Sequence, residues 1–159
     1  MSTRCQIAFY ENKDQSILKP SILLYRHCDG YPGTVDGKEY GVLCDIVPFL
    51  RDFKKHRGLD DIEYCAAWLI HELIEKHIKM IRKLHKNDTK QQKKVFKRFS
   101  HYVGHGICED FHGDIEYVYR IYSNTLEVYK IVHSEQELKN YCSSPYKESN
   151  FSLIETIDL

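Results

Sequence analysis

Apolar and polar residues alternate from the start of the chain. In TRCQIAFY, residues 3–10, Cys5, Ile7 and Phe9 fall on one side and Arg4, Gln6 and Ala8 on the other. A period of two predicts a strand. The polar stretch ENKDQSILK separates it from a second apolar run over 21–27, and the pair predicts an antiparallel hairpin. Asp29-Gly30 and Asp36-Gly37 mark the next stretch, 28–40, as a loop. The period then changes. Ile46, Phe49, Leu50 and Phe53 recur at helical spacing and predict a helix from about Asp45 to His56. Asp45 is expected as its N-cap, Pro48 within its first turn and Gly58 as its stop. A longer helix is expected after the capping-box pair Asp60 and Glu63. Its apolar stripe runs Ile62, Ala66, Leu69, Leu73, His77, Met80, Ile81 and Leu84, until Asn87-Asp88 breaks it. TKQQKKVFKRF then reads as a short basic helix with Val95, Phe96 and Phe99 inward.

The second half returns to strand periods. HYVGHGIC reads as extended, and in IEYVYRIY the residues Ile115, Tyr117, Tyr119 and Ile121 alternate with Glu116, Val118, Arg120 and Tyr122. Ser123-Asn124 turns the chain into TLEVYKIV, and Ser134 with Glu137 opens a short helix reaching about Tyr141. NFSLIETIDL closes as an edge strand or a docked tail. This order predicts an α+β fold: a mainly antiparallel sheet of about five strands, with two or three helices packed on one face. At 159 residues a single domain over 1–159 is expected.

Composition adds two constraints. With 42% apolar residues the chain is expected to fold, and no apolar run reaches the length of a membrane span. The N-terminus lacks a secretory pattern and the six cysteines form no CxxC pair, so reduced thiols and a cytoplasmic location are expected. The net charge of zero hides an asymmetry. Residues 76–98 hold ten Lys or Arg against Asp88 alone, leaving thirteen basic and twenty-two acidic residues elsewhere. The segment 76–98 therefore reads as a basic helical insertion in an acidic body.

Three polar groupings interrupt the apolar pattern: Thr3 and Arg4, the run Arg26-His27-Cys28-Asp29, and GHGICEDFHGD over 104–114. A hairpin brings the end of its second strand to the start of its first, so Arg4 and Arg26 are expected side by side. Neighbouring guanidiniums repel unless an anion or carboxylates hold them. The segments TRCQI, YRHCDGYP and HGDIEYVY resemble a set of small, little-characterised prokaryotic and phage proteins with an N-terminal Thr-Arg strand and a DGYP-type turn. The resemblance covers 3–10, 22–50 and roughly 104–122. It implies the same three patches but no activity, and on the biological side suggests a phage or host-defence role.

From the residues, the functional reading is a site for a small anionic, nucleotide-like ligand, with Arg4 and Arg26 on a phosphate and Thr3, Tyr31 and His105 beside it. His27 and His112 would take and give a proton, Asp29 or Asp114 would fix a tautomer, and the reaction would be metal-independent hydrolysis of a phosphodiester. A structural reading stands beside it: Asp29 caps its own turn, Gly30 takes a positive φ, and Arg26 pairs with Glu116 or Asp114. No cofactor is required. The rival metal sets are His105, Cys108 and His112 with His101 for zinc, or Glu109, Asp110 and Asp114 for magnesium. A Cys28–His27 nucleophile is weaker, since adjacent strand residues point apart, and so is a Ser2 exposed by loss of Met1, since any short side chain after Met would be exposed in the same way. Lys90, Lys93, Lys94 and Lys97 fall at helical spacing and suit RNA phosphates. The alternatives to an enzyme are a ligand-sequestering or protein-binding factor, which could pair with a second copy, and an RNA-binding accessory protein.

Overall fold

The computed structural model describes residues 3–34, 40–84, 104–133 and 146–159. Expectations for the helices over 89–99 and 134–141, and for Lys90, Lys93, Lys94 and Lys97, lie outside the described residues. Among the described residues six strands form one sheet: β1 (Cys5–Tyr10), β2 (Ile22–Arg26), β3 (His105–Cys108), β4 (Tyr117–Tyr122), β5 (Thr125–Ile131) and β6 (Phe151–Asp158). Their order is β3-β2-β1-β4-β5-β6. Every neighbouring pair is antiparallel except the central β1 and β4. Two helices, α1 (Val42–Arg57) and α2 (Ile62–Leu84), connect β2 to the segment leading into β3. The fold is α+β, with one strand more than expected because the final apolar segment pairs with β5 as an edge strand.

The helices pack on the face that carries Cys5, Ile7 and Phe9, against Leu24, Tyr119, Ile121 and Val128. The opposite face is not solvated. Ala8, Tyr10, Val118 and Tyr122 are buried there under Ile17, Ile115 and Phe151, with Phe111 and Tyr146 packed alongside. β1 is therefore buried along its whole length, and its second residue, the polar Gln6, is fully enclosed. Gln6 is satisfied by the loop after β3: its amide donates to the Asp110 carbonyl at 3.1 Å and accepts the His112 N–H at 3.0 Å.

Both helix starts differ from the sequence expectation. α1 begins three residues before Asp45, so Pro48 lies beyond the first turn. Backbone, not a side chain, caps it: the Val42 and Leu43 N–H groups donate to the Tyr31 and Pro32 carbonyls, each at 3.0 Å. A Cβ on Gly41 would lie 2.5 Å from the Pro32 oxygen, so only glycine permits this closure. α2 is capped by Asp61, not Asp60, whose carboxylate accepts the Tyr64 N–H at 3.1 Å.

A buried ion pair sits on the face away from the helices. Arg120 and Glu127 are register partners on β4 and β5, and their side chains meet at 3.2 Å. Glu127 also accepts the Tyr122 and Tyr129 hydroxyls, each at 2.8 Å. Arg120 donates to the Lys13 and Gln15 carbonyls at 2.6 and 2.8 Å, which ties the 11–20 loop to the sheet. Burial, and then the neighbouring Glu127, push the Tyr122 hydroxyl up to about 12. Removing one member leaves the other charge buried without a partner. Glu127→Ala is expected to cost roughly 3–5 kcal/mol in urea unfolding. A loss below about 1 kcal/mol would place the pair in effective contact with solvent.

Candidate functional site

The turn after β2 is held from three sides. Gly30 N–H donates to the Thr3 carbonyl at 3.0 Å, and the Gly30 carbonyl accepts the buried Tyr119 hydroxyl at 2.8 Å. A Cβ at Gly30 would meet the Arg4 carbonyl carbon at 2.7 Å. Glycine is required there for close approach. The positive φ falls instead on Asp29, at 54°, and on Gly33, at 71°. Thr3 thus takes part through its backbone.

The sheet divides the expected site residues into two groups. Arg26 is the register partner of Cys5 and shares the helix-side face with it. Arg4, one residue earlier, lies on the other side, where its charge acts on Tyr25 and it forms an ion pair with Asp114. The two guanidiniums therefore do not converge: neighbouring residues on a strand point to opposite faces. Arg26 pairs with neither Glu116 nor Asp114. Its Nη1 meets Asp45 Oδ2 at 2.6 Å and its Nε donates to the Cys28 carbonyl at 2.9 Å.

On the helix side a cavity of about 600 Å3 opens between the start of α1, the middle of α2 and the β2–β3 edge. Of the expected residues, Arg26, Asp29, Tyr31 and His105 line it. Asp45, Lys76, His77 and Cys44 join them, together with the exposed Tyr40 ring. Asp45 stands in the first turn of α1, where a carboxylate suits the positive helix end. It holds both cations on the wall: Lys76 Nζ is 4.0 Å from its carboxylate and donates to its carbonyl at 3.3 Å. Glu72 supports Lys76 from one turn earlier, at 3.8 Å.

His105 packs edge-on against His77, with ring centroids 5.8 Å apart. Among the described residues neither ring nitrogen of His105 has a hydrogen-bond partner, and both are shielded from solvent. Burial, helped by the Arg26 charge and by His77, lowers its pKa to about 4 against the opposing pull of Asp45. His77 is lowered too, by burial and then Arg26, with Asp29 opposing. Both imidazoles are accordingly neutral at pH 7.

On the other face, His27 and His112 lie against one phenol ring. Tyr25 Oη is 3.0 Å from His27 Nδ1, and the Tyr25 and His112 rings stand 4.4 Å apart. Arg4 and Asp114 belong to this second, open group. The zinc set is dispersed in the same way. His105 faces the cavity, Cys108 packs against the core of the opposite face, and His112 lies on that side as well. His101 lies outside the described residues. No group of three or more His, Cys, Asp or Glu able to hold a metal ion occurs among the described residues. No helix among them is long and apolar enough to cross a membrane. Cys5 and Cys65 are buried thiols pushed up to about 12 by that burial.

Asp45, Lys76 and His77 were not singled out as site residues by the sequence. Asp45 and Lys76 are 31 positions apart, and no local spacing links them. His77 carries a weak signal, a titratable residue in the apolar stripe of α2. No protein-family model matches the chain, and neither a curated protein nor a solved structure does so.

The lowered pKa of His105 has a consequence for stability. Between about pH 6.5 and 4 the unfolded chain holds a proton on this ring that the folded protein does not. Stability is therefore expected to fall as pH drops through that window, by up to about 1.4 kcal/mol per unit from this group. His77 adds to the trend in the same direction. Urea titrations at pH 7.5, 6 and 5 measure the slope, and His105→Phe should flatten it. An unchanged slope in that variant would show that the ring is solvated in the folded state.

Proposed function

We propose that the protein binds a small anionic ligand of nucleotide size in the cavity between α1, α2 and the β2–β3 edge. One observation carries the reading: Arg26 and Lys76 are fixed at a single carboxylate, on the wall of a cavity whose other polar groups include two neutral imidazoles. Arg26 makes its bonds through Nε and Nη1, and among the described residues its Nη2 makes none. A guanidinium half engaged and an ammonium beside it offer a phosphate two charge-assisted contacts without rearrangement. The cavity volume falls within the range of small-molecule sites, about 300–1,000 Å3.

Binding is favoured over catalysis at this cavity. A base with a pKa near 4 is a poor proton acceptor at neutral pH. His27 and His112, the pair suited to phosphodiester hydrolysis, stand on the other face. That hydrolysis is the second reading, favoured by two imidazoles against Tyr25 with Arg4 near. It places the reaction on the open face, with Arg4 held by Asp114. A nucleic-acid contact through Lys90, Lys93, Lys94 and Lys97 remains a proposal resting on charge alone.

Calorimetric titration with nucleoside monophosphates separates the readings. Lys76→Ala is expected to weaken binding at least about tenfold, since a charge-assisted contact is lost. His27→Ala and His112→Ala should leave that affinity unchanged. Turnover of a cyclic or dinucleotide phosphodiester that disappears in those two variants would establish the second reading. Affinity that ignores Lys76 and Arg26→Gln alike would refute the cavity as the anion site.

A further inference from the structure

Resting on the cavity reading, the state of His105 narrows the class of ligand. A neutral imidazole carries one N–H donor and one bare nitrogen acceptor. Among the described residues neither finds a partner, and both are cut off from solvent. Buried polar groups left in that condition are costly, so each calls for an explanation. His105 lies on an edge strand with glycine on both sides, Gly104 and Gly106, where the backbone is least constrained. The Arg26 register partner faces it across the β2–β3 ladder.

We infer that the ring turns into the cavity when the ligand arrives and bridges two of its groups. A phosphate oxygen accepts the imidazole N–H, and a hydroxyl donates to the bare nitrogen. Held ionised beside Arg26 and Lys76, a phosphate monoester has acceptors for the first nitrogen but no donor for the second, so a further hydroxyl of the ligand has to supply it. The ligand is therefore a phosphate ester that also carries a free sugar hydroxyl, a nucleotide by class. The exposed Tyr31 and Tyr40 rings at the cavity mouth supply a stacking surface for its base.

Titration of the whole protein with AMP, 2′,3′-dideoxyAMP, ribose 5-phosphate and inorganic phosphate tests this. AMP is expected to bind at least about tenfold tighter than its dideoxy counterpart, the worth of one hydrogen bond to an otherwise orphaned buried acceptor. Ribose 5-phosphate, which keeps the hydroxyls and lacks the base, should fall between AMP and phosphate. In His105→Phe the discrimination between AMP and dideoxyAMP should vanish while the melting temperature of the empty protein holds or rises. His105→Gln retains a donor and an acceptor and should keep part of the discrimination, which guards against a folding defect in the first variant. Equal affinities for AMP and dideoxyAMP, still dependent on Lys76, would overturn the hydroxyl requirement and leave the anion site standing. Failure of all four probes to bind would overturn the anion site itself.

Discussion

The close seating of the Asp29–Gly33 turn against the start of β1 is the constraint on which the rest depends. Gly30 lies so near the Arg4–Cys5 peptide that no side chain fits, and its two backbone groups bond Thr3 and Tyr119. The carbonyls of Tyr31 and Pro32 then receive the first N–H groups of α1. One turn thereby fixes the N-terminal edge of the central strand, the hydroxyl of a buried tyrosine on β4, and the origin of the first helix. A cation, an imidazole, a thiol and a carboxylate stand in series there because this is where the buried strand ends. Beyond Arg26 the chain leaves the sheet, and the polar groups can reach a cavity, a carboxylate or solvent.

Placement of α1 determines the electrostatics. Starting the helix at Val42 puts Asp45 in its first turn, opposite Arg26, and the descent of α2 brings Lys76 to the same carboxylate. Asp45 serves as both counterion and scaffold. Without it, Arg26 and Lys76 would repel each other in a half-enclosed space. Burial first, and then the Arg26 charge, keep His77 and His105 unprotonated. Cations that attract an anion and neutral rings that offer directed hydrogen bonds are compatible only because the imidazoles do not add charge of their own.

The two faces of the sheet divide the labour. The helix face carries the larger core and the cavity. The opposite face is covered by loops, and its buried Arg120–Glu127 pair holds the 11–20 loop down by backbone contacts. Such a pair contributes little net stability relative to an apolar core, yet it tolerates no single loss. It fixes which loop covers the sheet. The Tyr25 group with His27, His112, Arg4 and Asp114 stands at the edge of this covered face, anchored through Gln6 near the start of β1.

Much of this was legible in the chain itself. The two-residue periods located the strands, the α2 stripe located the long helix, and the glycines of DGYPG marked a turn of special geometry. Side-chain alternation alone already placed Cys5, Ile7 and Phe9 on one face. Other features needed the folded molecule. Asp60 and Asp61 are both good caps, and only the folded chain shows that Asp61 takes the Tyr64 N–H. Arg4 and Arg26 belong to a real hairpin, yet the register Cys5↔Arg26 sends them to opposite faces. Asp45 and Lys76 come together through helix packing across 31 residues, a distance no local rule spans. Local periodicity is written by neighbours along the chain and survives reading one residue after another. Which charges meet is decided by register and helix placement, and those are properties of the assembled layers.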